Sequence, residues 1–88
     1  MSWRIEVKPS AEKQYLKIDR TTRRRIKGAL HDLESAEQPL LHPRVRPLTG
    51  KLKGDYRGKV GGWRVLLTPD RESKVLHVYA ILPRGEAY

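Results

Sequence analysis

The chain has no cysteine, no phenylalanine and a single methionine among its 88 residues. Without cysteine there is no disulfide, no thiolate nucleophile and no cysteine–zinc site, which suits a reducing compartment. No apolar run approaches the roughly 20 residues that a membrane helix needs. Residues 1–8 alternate polar and apolar and carry no apolar stretch of the secretion-signal type, so a cytoplasmic location is expected. Acids are also scarce. Ten Asp and Glu stand against nineteen Lys and Arg, a formal charge of +9. That balance points to a polyanionic partner: nucleic acid first, an acidic protein second, a membrane surface third. Familiar catalytic signatures are missing too. There is no phosphate loop, no HExxH, no paired carboxylates and no serine with a histidine base. His31, His42 and His77 fall in different segments, and His77 reads as a core histidine. No metal, cofactor or membrane is expected.

What remains describes one small domain over residues 1–88. Trp3, Ile5 and Val7 alternate with Arg4, Glu6 and Lys8, which predicts a strand over residues 2–8. Pro9-Ser10 breaks it and offers Ser10 as a helix N-cap. Ala11, Tyr15 and Ile18 suit a helix of about two turns. Thr21 or Thr22 caps a second helix, whose apolar stripe of Ile26, Ala29, Leu30 and Leu33 spans roughly 22–35. Residues 36–50 hold three prolines and read as an irregular basic connection, pinned to the core by Leu48 and Leu52. Residues 74–82 are apolar at nearly every position, the pattern of a central strand buried on both faces.

The stretch 54–68 is the most informative. Gly61-Gly62 between two alternating runs predicts a two-residue hairpin, because both glycines can take positive φ. The register follows: Val60 opposite Trp63, Lys59 opposite Arg64, Gly58 opposite Val65, Arg57 opposite Leu66. Alternation puts Tyr56, Gly58, Val60, Trp63, Val65 and Leu67 on a face suited to a core. Arg57, Lys59 and Arg64 share the other face. Like charges directly opposite are destabilising, and Asp55 is the only acid between Arg44 and Arg64. Together these point to an anion-binding site. Arg44, Arg46, Lys51 and Lys53 from the preceding connection, and Arg23, Arg24 and Lys27 from the second helix, are candidate contacts to a nucleic-acid backbone. The expected fold is α+β: a small antiparallel sheet, built from the N-terminal strand and a C-terminal three-strand meander, with an antiparallel helix pair on one face and the cations on the other.

Arginine and lysine are poor proton-transfer groups at neutral pH, so their natural use is to stabilise charge developing on a phosphodiester under attack. RNA brings its own nucleophile, the 2′-OH, and cleavage of this kind leaves a 2′,3′-cyclic phosphate and a 5′-OH without any metal. The order of elements resembles the RelE/ParE toxin superfamily, as do Leu48-Thr49-Gly50, Tyr56-Arg57-x-Lys59-Val60-Gly61-x-Trp63-Arg64 and the closing Arg84-x-x-x-Tyr88. Within it the chain looks closer to the RelE branch, ribosome-dependent endoribonucleases that cut mRNA in the A site; the alternative is the ParE branch, which inhibits DNA gyrase. The resemblance implies a toxin of a type II toxin–antitoxin pair with an acidic antitoxin as partner. It also implies catalytic roles. Arg57 and Lys59 would stabilise the reacting 2′-oxygen and phosphate, and Arg64 would contact the scissile phosphate. Arg84 would serve the leaving 5′-oxygen, while Tyr88 would stack on a base and act as general base.

Overall fold

A computed structural model describes residues 3–86. Its order is β1 (Arg4–Val7), α1 (Pro9–Leu16), α2 (Arg20–Ser35), β2 (Val45–Pro47), β3 (Tyr56–Val60), β4 (Trp63–Asp70) and β5 (Val75–Pro83), with short 3-10 turns at Pro39–Leu41, Gly50–Leu52 and Arg84–Glu86. The five strands form one sheet in the order β1-β5-β4-β3-β2. The meander β3-β4-β5 is antiparallel as expected. Two features correct the expected sheet. First, β1 runs parallel to β5, with Ile5 beside Leu76 and Val7 beside Val78, so the sheet is mixed. Second, the connection over 36–50 is not irregular throughout: Val45–Pro47 pairs with β3 as a fifth strand, and Val45 enters the core. The strand β5 is interior, but the middle position belongs to β4.

One face of the sheet carries the core. Val60, Val65, Leu67, Val78 and Ile81 meet Ala11 of α1 and Ile26, Ala29 and Leu33 of α2. The stripe on α2 thus does what its spacing predicts. Helix α1 has a second task. Where β1 ends, the next backbone groups of β5 would lie open, and an unpaired edge is costly. The Ser10 hydroxyl donates to the Tyr79 carbonyl (2.9 Å), and the Ile81 amide donates to Gln14 Oε1 (2.7 Å). The outer edge of β1 is covered likewise: the Ile5 amide donates to Glu34 Oε2 (3.1 Å).

The helix starts differ from expectation by two or three residues. Lys8, not Ser10, is the N-cap of α1, because Pro9 takes the first helical position, where its missing N–H costs nothing. Asp19, not Thr21 or Thr22, caps α2 by accepting from the Thr22 amide at 2.9 Å. Its bonds with Thr22, through the side chain first and the backbone second, hold the Asp19 carboxyl below its ordinary 3.8. A depressed carboxylate stabilises the fold above its unfolded pKa, and that contribution disappears as pH falls through the folded value.

A β-carbon added at Gly28, in the middle of α2, would meet nothing within 4 Å. Close packing is therefore not the reason for this glycine. Gly28→Ala should raise stability by up to ~1 kcal/mol through backbone entropy and helix propensity. Ile26→Ala, at a fully buried position of the same helix, should lower it by about 2–5 kcal/mol. Denaturant midpoints of the two variants check both directions.

Candidate nucleic-acid interface

The hairpin forms with the predicted register, Lys59 opposite Arg64 and Arg57 opposite Leu66. Only Gly61 of the turn pair takes a positive φ, 58°, the pattern of a type II′ turn. The edge strand β2 extends the cationic face, since Arg46 pairs with Arg57, and the Lys59 amide donates to the Arg44 carbonyl at 3.0 Å. Two transverse rows of like charge result, Arg46–Arg57 and Arg44–Lys59–Arg64, on the side of the sheet away from the helices.

These side chains are oriented by backbone oxygens. Arg44 Nη1 donates to the Lys59 carbonyl (3.0 Å), and Arg57 Nη1 to the Arg44 carbonyl (3.4 Å). Arg46 Nη1 reaches the carbonyls of Pro43 and Val45, both at 3.1 Å. A guanidinium offers five donors, so one carbonyl bond fixes its direction and leaves capacity for an anion. Arg44 Nε is shut off from solvent and meets no acceptor among the described residues. His42 accepts from the Arg44 amide through Nδ1 at 3.1 Å and so steadies the start of β2.

The result is a trough. A cavity of ≈ 520 Å³ is lined by His42, Arg44, Arg46, Arg57, Lys59 and Gly61. A second, of ≈ 610 Å³, shares Arg46 and Arg57 and adds Lys51, Leu48 and Leu52. Here Leu48 is buried and Leu52 half-buried, the pinning role their apolar character predicts. Arg64 stands at the hairpin end. It is only 8% exposed, and its Nη1 donates to the carbonyls of Gly61 (3.1 Å) and Trp63 (3.0 Å). Its charge is therefore held at the turn by backbone carbonyls, not on a mobile arm, and it lines neither cavity. The Arg84 amide donates to the Gly62 carbonyl at 2.8 Å, which brings that residue to the same turn, with its side chain exposed.

Other predicted residues lie elsewhere. Lys53 is exposed just after the Gly50–Leu52 turn and lines neither cavity. Arg23, Arg24 and Lys27 are on α2, in the helix layer on the opposite side of the sheet. Tyr88 falls outside the described residues. No group of three or more His, Asp or Glu side chains among the described residues could hold a metal ion. No helix among them is long and apolar enough to cross a membrane.

Sequence reasoning missed a polar hub at the other end of the same sheet face. Asp55 accepts from the Tyr79 hydroxyl through Oδ2 (2.8 Å) and from the Thr68 hydroxyl through Oδ1 (3.0 Å). Its backbone is also engaged, with its amide donating to the Leu52 carbonyl and its carbonyl accepting from the Leu48 amide. A lone acid in a basic stretch was the available signal, but its partners come from β4 and β5. His77 lies alongside, half-buried and not the core histidine expected; its Nδ1 is closed off without a partner among the described residues.

Burial, then the bond and the charge of Asp55, push the Tyr79 hydroxyl up from 10.0 to about 12. A raised folded-state value means that this interaction stabilises the fold fully below pH 10 and is lost as pH rises through about 12. Ultraviolet titration should show a tyrosine ionisation well above 10.0, a late step absent from Tyr79→Phe and shifted downward in Asp55→Asn.

With the geometry established, comparisons place the chain. The family described as the ParE toxin of the type II toxin–antitoxin system parDE matches residues 5–88. No curated protein matches the sequence. Among solved structures, the fold is similar to RelE in the archaeal RelE–RelB complex from Pyrococcus horikoshii OT3 (TM-score 0.79, 25% identity, 99% of this chain and 100% of that one). It is also similar to a mutant Escherichia coli toxin RelE in the free state (TM-score 0.76, 24% identity, 99% and 87%). A YoeB/ParE toxin from Agrobacterium tumefaciens shares the fold at 14% identity (TM-score 0.74, 91% and 96%). A family match over nearly the whole chain, on a fold of this topology, means that the protein belongs to the RelE/ParE superfamily of type II toxin–antitoxin toxins.

Proposed function

We propose that this toxin is a ribosome-dependent mRNA endoribonuclease that cleaves by attack of the RNA 2′-OH on the adjacent phosphate, without metal. The observation that carries this reading is the packing of like charge into one trough. Arg44, Arg46, Arg57 and Lys59 line it, and Lys59 faces Arg64 at a pairing position where opposite charge would be more stable. Repulsion of this kind is relieved when a phosphate enters.

In the proposed reaction the 2′-oxygen forms a bond to phosphorus as the bond to the 5′-oxygen breaks. The 2′-proton leaves, and the 5′-oxygen takes one up. Arg57 and Lys59 neutralise the charge that builds on the equatorial oxygens. Arg64, held by two carbonyls and paired across from Lys59, supplies a fixed positive field beside them, and Arg84 beside the turn serves the leaving oxygen. Tyr88 is assigned the stacking and base role. None of these groups is suited to proton transfer near neutrality except at a cost, so orientation of the message by the ribosome supplies much of the acceleration. Lys51, Lys53, Arg23, Arg24 and Lys27 are proposed contacts to ribosomal RNA. The expected partner outside the ribosome is an acidic antitoxin, suited to the +9 charge; the P. horikoshii structure is a complex of RelE with RelB.

A second reading has its own support, because the matching family is described as ParE. On that reading the protein inhibits DNA gyrase and cuts nothing. Primer extension on ribosome-bound mRNA separates the two. The nuclease reading expects stops within the A-site codon and a 2′,3′-cyclic phosphate end, with about 10²–10³-fold slower cleavage in Arg57→Ala or Lys59→Ala. Intact message together with inhibition of supercoiling at low toxin concentration would replace it with the gyrase reading.

A further inference from the structure

We propose that the cavity around Asp55, at the end of the trough away from the hairpin turn, is a nucleobase subsite selective for guanine. It rests on the reading of the trough as an RNA path, and adds to it where a base is read. The cavity, ≈ 390 Å³, is lined by Lys8, Leu52, Asp55, Thr68, His77 and Tyr79, and it shares Leu52 with the neighbouring basic cavity. Asp55 lies two residues before Arg57, about 7 Å along the strand direction, so one bound strand can touch both.

The chemistry changes sharply at that point. Asp55 is the only acid among the residues lining the three joined cavities. A carboxylate repels phosphate, so this end of the trough is suited to a base and not to the backbone. An ionised carboxylate only accepts hydrogen bonds, and its two oxygens have about four acceptor sites. The hydroxyls of Tyr79 and Thr68 take one site on each oxygen. They fix the plane of the group and leave one acceptor on each side. Guanine presents two adjacent parallel donors, N1–H and the N2 amino group. Uracil, cytosine and adenine place an acceptor beside each Watson–Crick donor, so none of them fills both positions. Tyr79 and His77, which also line the cavity, carry rings of the kind on which bases stack. Lys8, exposed at the rim, is placed for the phosphate of the same nucleotide.

The test measures binding of the full chain to short single-stranded RNAs of uridine that carry guanine, inosine, adenine, cytosine or uracil at one position, by fluorescence anisotropy at low salt. The guanine oligomer should bind roughly tenfold more tightly than each of the others, the gain expected of a bidentate base contact. Inosine, which keeps N1–H but lacks the amino group, should fall with the weaker set. Asp55→Asn, which turns one acceptor into a donor, should abolish the guanine preference, and Tyr79→Phe, which frees the carboxylate plane but keeps the ring, should reduce it. Equal affinity for guanine and inosine in the unmodified protein overturns the subsite and needs no variant to fold. A guanine preference that survives Asp55→Asn overturns it as well. Binding that ignores base identity but is strong and salt-sensitive removes the subsite alone, whereas no binding to any RNA removes the RNA path together with it.

Discussion

The arrangement of the whole molecule depends on one unfavourable pairing: Lys59 lies directly across from Arg64, one pair short of the Gly61-Gly62 turn in a small sheet. Everything around it tolerates that repulsion. The Gly61-Gly62 turn forces the register, since a slip of one residue would carry Val60, Val65 and Leu67 out of the core and into solvent. Core packing against Ile26, Ala29 and Leu33 then holds the register against the charge. Arg64 is stabilised by two backbone carbonyls and nearly excluded from water. A frustrated contact fixed so firmly is characteristic of sites where a ligand, not the fold, completes the electrostatics.

The sheet also divides the positive charge. Cations of β2 and β3 line the open face, while those of α2 lie on the helix layer behind the core. A single +9 total conceals this separation, and each set meets a different surface of any large partner. Asp55 adds polarity along the trough itself. Cations line it from Gly61 to Leu52, and beyond Leu52 a carboxylate clamped by two hydroxyls takes over. A strand lying in it would have a defined direction.

Most of this was legible in the chain where local rules decide. Alternation around Gly61-Gly62 yields the hairpin, its register and its cationic face, because turn geometry and side-chain period act over a few residues. The stripe on α2 is legible for the same reason. The misses are non-local or depend on small changes in capping. Alternation assigns faces to Trp3–Val7 but says nothing about direction, so the parallel pairing of β1 with β5 went unseen. Val45-Arg46-Pro47 is too short, and too close to prolines, to register as a strand until β3 is there to pair with it. Pro9 shifts the start of α1 and releases the Ser10 hydroxyl for the edge of β5. The Asp55 hub draws on positions 55, 68 and 79, whose proximity only the meander creates.

The central claim is that the open-face cations, and not the net charge at large, grip a sugar-phosphate chain. The slope of log affinity against log salt concentration for single-stranded RNA tests it most directly, because each phosphate neutralised contributes about −0.7. Replacing Lys59 with alanine should make the slope shallower by roughly that amount, while replacing Lys27 on the helix layer should leave it unchanged. Equal losses of slope at the two positions, or a loss at Lys27 alone, would contradict the account.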